Sequence, residues 1–283
     1  MQTLEPGSQG VRLLNQLGAH GKYIFNMNDA KAAAQLEKIP ANQLNKILSN
    51  SVKQRKALRL RRGLYVNLAA LPKDAEVHPF VISGFLIQPS AISHWSALHY
   101  HGLTEQIPQI ITASTYKKVV TPSMRNIPFQ SSTIKHMLEI NGLRYEYITI
   151  KKEHFFGHER VPFYENLFVN ITDKERTLLD VFIYSKMFGG MGGALDILQH
   201  ALNEIDNKID IKKLVDYIIE YNKPVIAKRL GWALEYLGVT EKKLIPLLEI
   251  PLHYYCRLDP HTPAKGHCDI RWMIQNNLIK DNK

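Results

Sequence analysis

Between Glu37 and Asp74 the chain carries no acidic residue, yet it holds Lys38, Lys46, Lys53, Arg55, Lys56, Arg59, Arg61, Arg62 and Lys73. Cations without a nearby acid cannot be buried cheaply, because an unpaired charge in a low-dielectric interior is strongly penalised. Elements in this span must therefore turn their cations outward and build a core from what remains. Two periodicities do so. Leu44, Ile47, Leu48 and Val52 recur at i, i+3, i+4 and i+8, the apolar stripe of a helix whose opposite face carries Asn42, Gln43, Asn45, Lys46, Ser49, Asn50 and Lys53. Leu58, Leu60, Leu64, Val66 and Leu68 then alternate with polar or basic residues on either side of Arg61-Arg62-Gly63. That is the pattern of a β-hairpin with a basic face and a glycine near its turn.

Upstream, Leu13, Leu14 and Leu17 predict a helix over 12–19 that Gly18 or Gly21 can end. Tyr23-Ile24-Phe25 is strand-like, Asn28 or Asp29 can cap a second helix over 30–36, and Pro40 opens a new element. Three helices followed by a hairpin is the order of a winged helix-turn-helix, whose third helix lies in the DNA major groove. Amide and hydroxyl side chains suit base edges, and cations suit phosphate. The expected DNA contacts are therefore Asn42, Gln43, Asn45, Lys46, Ser49, Asn50, Lys53, Arg55, Lys56, Arg59, Arg61 and Arg62. The charge balance points the same way: residues 1–70 hold eleven basic and three acidic side chains, so +8 of the total +10 falls in the first quarter of the chain.

The remainder is near neutral. With 45% hydrophobic residues over 283 positions there is material for a sizeable core. Apolar runs such as Phe80-Val81-Ile82 and Phe85-Leu86-Ile87 fall far short of the ~20 residues of a membrane span. Residues 1–10 lack the apolar block of a secretory signal, and the two cysteines, Cys256 and Cys268, fit a reducing compartment. A cytoplasmic protein with no membrane partner is expected. Its fold class is α+β: a winged helix-turn-helix over 1–72, a linker over 73–78, and a larger mixed α/β domain over 79–283. In that domain the patterns predict a short helix over 92–101 closed by Gly102 and strands at 110–112 and 143–150. A hairpin over 161–171 is expected to turn at Glu165-Asn166, with a Thr172/Glu175 capping box opening the next helix. Helices over 194–205, 210–221 and 225–237 follow, the last ended by Gly238.

Four groups could carry chemistry, and none has compelling spacing. His94, His99 and His101 lack the i, i+4 pairing of a zinc helix, and Cys256, His261, His267 and Cys268 lack a Cys-x-x-Cys clamp. Nothing in their spacing gathers Asp259, Lys265 and Asp269 into a metal-dependent nuclease pocket. Gly189-Gly190-Met191-Gly192-Gly193 has no phosphate-loop lysine and reads as a turn between helices. The expectation is a non-enzymatic protein with no cofactor and no metal. The alternatives are a metal-dependent DNA nuclease with a winged-helix reader, and a non-enzymatic protein-interaction module.

The block Ile92-Ser-His-Trp-Ser-Ala-Leu-His-Tyr-His-Gly-Leu-Thr-Glu-Gln-Ile-Pro108 resembles the signature of the AbiEi antitoxin family. Further matching segments occur in the same order: Arg62-Gly-Leu-Tyr-Val66, His154-Phe-Phe-Gly157, Ile171-Thr-Asp-Lys-Glu-Arg-Thr-Leu-Leu-Asp180, and Leu258-Asp-Pro260 with Gly266 and Asp269-Ile-Arg-Trp272. The resemblance runs from about residue 10 to 278. His267-Cys268 before Asp269 departs from the arginine or glycine often found there, so no role is carried over to that pair. The resemblance implies a type IV toxin–antitoxin regulator in abortive infection, a phage defence. Its winged helix would bind double-stranded operator DNA and repress its own operon. Its C-terminal domain would oppose a cognate nucleotidyltransferase-like toxin, with no stable complex required.

Overall fold

The computed structural model describes residues 8–71, 77–119, 137–140, 142–164, 167–204 and 208–278. They divide into two compact units, Met1–Gln88 with Pro162–Phe168, and Pro89–Val161 with Val169–Lys283.

In the first unit, Ser8 opens α1 (Gln9–Ala19) by accepting a hydrogen bond from the Val11 amide on its hydroxyl. Then come β1 (Ile24–Asn26), α2 (Met27–Leu36), a 3-10 turn (Ala41–Gln43), α3 (Leu44–Lys53) and the hairpin β2 (Ala57–Arg61) and β3 (Leu64–Asn67). The strands form one antiparallel sheet in the order β1-β3-β2. Leu13, Leu14, Leu17, Ala30, Ala33, Leu44 and Leu48 close the core beneath it with Phe25 and Tyr65, whose rings stack at 5.5 Å. Buried Asn67 ties sheet to helix, donating from Nδ2 to the Leu14 carbonyl at 2.7 Å. The cap of α2 is Asn26, not Asn28 or Asp29. Its Oδ1 accepts the Asn28 and Asp29 amides while Asp29 accepts the Asn26 amide, and this reciprocal box starts the helix three residues before the alanine run. The β2 register shifts between Arg59 and Arg61, so Ala57 and Leu60 face inward and the expected leucine alternation breaks.

Of the linker expected over 73–78, residues 73–76 lie outside the described residues; Val77 is buried and His78 caps α4 (Pro79–Leu86), accepting the Phe80 amide on Nδ1. This mostly apolar helix groups with the first unit rather than opening the second.

The second unit carries β4 (Ala91–Ile92), α5 (His94–Tyr100), β5 (Ile110–Thr115), β6 (Met137–Ile140), β7 (Leu143–Thr149), β8 (His158–Tyr164) and β9 (Leu167–Thr172), the last two shared with the first unit at residues 162–168. Their sheet order is β6-β7-β5-β4-β9-β8. β5 and β7 run parallel from Ile110↔Arg144 to Thr115↔Thr149. Ile92, expected in a helix, instead pairs with Ile171 in this sheet. The Glu165-Asn166 turn lies outside the described residues.

α6 (Lys174–Ile183) then runs through the core, buried from Glu175 to Phe182 and packed against α5, α7 (Gly190–Asn203), α8 (Ile211–Tyr221) and α9 (Pro224–Tyr236). Its cap is Asp173, whose Oδ1 accepts the Arg176 amide at 2.8 Å. The expected Thr172/Glu175 box does not form: Thr172 ends β9 and bonds the Thr177 hydroxyl, while Glu175 Oε1 accepts the Asp210 amide at the start of α8. α10 (Glu241–Leu248), with Pro246 inside it, precedes a small sheet of β10 (Cys256–Arg257), β11 (Cys268–Asp269) and β12 (Ile274–Gln275), ordered β10-β12-β11. Asp269 ends β11, and residues 270–273 turn the chain into β12. Arg271 pairs with Glu235 at 3.1 Å and Glu241 at 2.7 Å.

Trp272 is fully buried, its indole N–H donating to Glu235, and its ring fills the space where a Cβ on Gly231 would stand. Gly231→Ala is therefore expected to lower stability by about 1–3 kcal/mol. Gly192→Ala, whose Cβ would meet nothing within 4 Å, should raise it by roughly 0.5–1 kcal/mol through helix propensity. Urea midpoints of the two variants, moving in opposite directions, check this.

Candidate nucleic-acid interface

α3 is held by its apolar stripe. Leu44, Leu48 and Ser51 are buried, and the Ser51 hydroxyl donates back to the Ile47 carbonyl at 3.0 Å. The arc left outside carries Asn42, Gln43, Asn45, Lys46, Ser49, Asn50 and Lys53, all exposed. Two grooves flank it. One, of about 510 Å³, is lined by Asn45, Ser49 and Lys53 from α3, by Arg59, Arg62 and Gly63 from the hairpin, and by Met27, Val52 and Tyr65. The other, of about 450 Å³, lies between Gln43, Lys46, Ile47 and Asn50 and the start of α1 at Ser8–Gly10. The i, i+4, i+8 and i, i+3, i+7 spacings of these polar sets place them on adjacent stripes of one helix. Asn42, Arg55, Lys56 and Arg61 line neither groove. Asn42 sits on the 3-10 turn, Arg55 and Lys56 link α3 to β2, and Arg61 ends β2.

Two residues shape the approach of the hairpin to α3. Gly63 turns it at φ +76°, and a Cβ there would press on Met27 at 3.3 Å. Arg55 takes the left-handed conformation at φ +56°, which ends α3 and turns the chain into β2. Met27, Tyr65 and Ser8–Gly10 line the grooves without any signal for it in the sequence around them, because they reach the grooves only through the fold.

The electrostatics are one-sided. The two described acids of residues 8–71 are both engaged, Asp29 with Lys22 at 2.9 Å and Glu37 with Arg12 at 3.8 Å. The other nine cations of that stretch, including every one on α3 and the hairpin, have no ion-pair partner among the described residues.

The other candidate groups do not assemble. His94 is buried, its Nδ1 2.7 Å from the Ser93 hydroxyl, and burial holds its pKa below the ordinary value. His101 Nε2 is 2.7 Å from the Thr172 carbonyl, and His99 is exposed. Asp259 accepts the Met191 amide at 3.1 Å and the His261 amide at 2.8 Å, whereas Asp269 accepts the Trp272 amide at 3.0 Å. Cys256 is buried and Cys268 exposed, and no group of three or more His, Cys, Asp or Glu side chains among the described residues could hold a metal ion.

Comparison with known proteins yields a fold. No family model and no curated protein matches the chain. The crystal structure of the RV2827C protein from Mycobacterium tuberculosis is similar over 94% of this chain and 90% of that one, with a TM-score of 0.59 and 9% sequence identity. The shared architecture is α+β. No described helix is long and apolar enough to cross a membrane.

If this surface takes duplex DNA, replacing Arg59 and Arg62 together by Ala weakens binding to random sequence. The slope of log affinity against log salt should fall by about 0.9 for each phosphate that is no longer neutralised, so by roughly 1.8. Replacing Arg12 and Lys22, which are already neutralised, should leave the slope unchanged. Titrations at four salt concentrations distinguish the two pairs.

Proposed function

We propose that residues 1–72 are a winged helix-turn-helix that reads double-stranded operator DNA, and that the chain is a non-enzymatic, cytoplasmic repressor of its own operon. The observation that carries this reading is the segregation of charge around α3. The described acids of the unit's first stretch pair with Lys22 and Arg12, and the unneutralised cations lie on and beside a helix whose outer arc is amides, a serine and two lysines. The order α1-β1-α2-α3-β2-β3, with the hairpin closing one side of α3, supports the winged-helix assignment. In this reading α3 enters the major groove with Asn45 and Ser49 toward base edges, while Lys53, Arg59 and Arg62 take phosphate. The resemblance to the AbiEi family extends the proposal: the second unit opposes a cognate nucleotidyltransferase-like toxin in phage defence.

Asn45→Ala should weaken binding to the gene's own upstream DNA by a factor corresponding to ~1–3 kcal/mol while leaving random DNA nearly unaffected. Equal weakening on both DNAs would remove Asn45 from base reading, and no binding of either DNA by the full chain at low salt would remove the DNA-binding assignment. Full-length protein carrying Arg59→Ala and Arg62→Ala should lose repression yet still restore growth to cells expressing the toxin. Failure of both functions together would place the antitoxin role on the same surface as repression.

A further inference from the structure

The second unit carries a cationic, aromatic surface that the proposed function leaves unused. β5 and β7 are parallel and end side by side, Thr115 opposite Thr149, and the Ile150 amide donates to the Thr115 carbonyl at 2.9 Å just beyond the ends. Lys117 and Lys118 follow the first strand, Lys151 and Lys152 the second, and all four are exposed. Glu153, 3.5 Å from Lys151, is the one acid in these two exits; both side chains are about two-thirds exposed, so the pairing is weak. Lys117, Lys118 and Lys152 have no ion pair among the described residues. Between the exits stand three half-buried rings in series. Tyr116 meets Phe155 edge-on at 5.3 Å, Phe155 lies 4.7 Å from His158, and Lys117 Nζ sits 5.6 Å over Tyr116. The frame is fixed from below. The Thr115 hydroxyl accepts the Lys117 amide at 3.1 Å and donates to the Pro89 carbonyl at 2.6 Å, and buried Arg176 donates to the His154 carbonyl at 2.7 Å.

We infer that the paired exits of β5 and β7 bind a single-stranded segment of nucleic acid, with Lys117, Lys118, Lys151 and Lys152 on phosphates and Tyr116 and Phe155 offering surface to unpaired bases. Cations that track a backbone beside aromatic groups that accept bases are what sequence-tolerant single-strand binding needs. A duplex hides its base faces and would leave the rings idle, and an acidic peptide would satisfy the lysines alone. This surface is separate from the groove beside α3 and would bind whether or not residues 1–72 read DNA.

The test uses the full chain with Lys53→Ala, Arg59→Ala and Arg62→Ala, which silences the groove beside α3. The probe is a fluorescein-labelled oligouridylate of ~20 nucleotides followed by anisotropy, a length that covers one to a few binding sites. Lys117→Ala, Lys118→Ala, Lys151→Ala and Lys152→Ala together should weaken binding at least about tenfold and cut the salt slope by about 3, at roughly 0.7 per single-strand phosphate. The same four positions changed to Arg should bind like the parent. Tyr116→Ala should weaken binding about tenfold with the slope retained. The inference is overturned if the four-alanine protein binds as tightly as its parent. It is overturned equally if a duplex of the same length, or polyglutamate, displaces the probe as well as unlabelled oligouridylate does.

Discussion

Arg176 and Asp180, one turn apart on α6, form an ion pair almost wholly removed from water. A buried pair is a burden unless its remaining hydrogen-bonding capacity is used. Here the guanidinium is engaged on three nitrogens: Nε and Nη2 hold Asp180 Oδ1 at 3.1 and 2.9 Å, and Nη1 holds the His154 carbonyl. Its face lies 4.5 Å from the Phe156 ring. A Cβ on Gly157, at φ +67°, would run into the Arg176 stem, so the loop over 154–157 and the helix are fitted to each other. Around this pair α6 can be polar in composition and still central. Asp173 takes the Tyr217 hydroxyl and Lys213, and Glu175 takes Lys213 and the start of α8, so these two acids at the start of α6 tie it to α8, while Asp180 pairs within the helix. Because the same arginine fixes His154, the lysines at the exit of β7 are displayed from a rigid base.

Burial also acts on the histidines of this region. Desolvation holds His154 below its usual pKa; the nearby Glu153 opposes this and Arg176, Lys151 and Lys223 reinforce it. His158 is likewise lowered by burial, with Arg176 adding to the effect and Asp173 opposing it. Both imidazoles therefore lean toward the neutral form near pH 7, and the positive charge of the patch rests on its lysines.

How much of this can be read from sequence depends on how local each signal is. The α3 stripe, the hairpin and the exposed arc are legible because one amphipathic period fixes which side chains face out, and all seven polar residues read from α3 and its leading turn are exposed. The cap of α2 lies two or three residues before the expected positions because Asn26, Asn28 and Asp29 are all competent caps, and only the reciprocal bond from Asp29 decides among them. Thr172-x-x-Glu175 fits a capping box, but Thr172 is claimed by the sheet and Glu175 by α8, demands that a local pattern cannot register. α4 has no polar face and hence no helical period, and Pro246 disguises α10. The patch at the ends of β5 and β7 is illegible for a different reason. Its two lysine pairs are more than thirty residues apart in sequence and meet only because the strands are parallel and in register.

A cationic surface can serve solubility alone, but then the two signs are usually interspersed. Around α3 they are not. Asp29 both closes the capping box of α2 and neutralises Lys22, and Glu37 lies at the far end of α2 beside Arg12, so each of these acids serves the scaffold. A single acid at position 45 or 49 would cancel a neighbouring cation across the groove with little effect on the fold, since both positions are exposed. Their occupation by an amide and a hydroxyl instead leaves a surface with uncancelled positive potential and side chains that can both donate and accept hydrogen bonds. Like charges held together in this way repel one another and weaken the folded state. A bound polyanion would relieve that repulsion, and it is this charge layout, more than the excess of positive charge, on which the DNA-binding proposal rests.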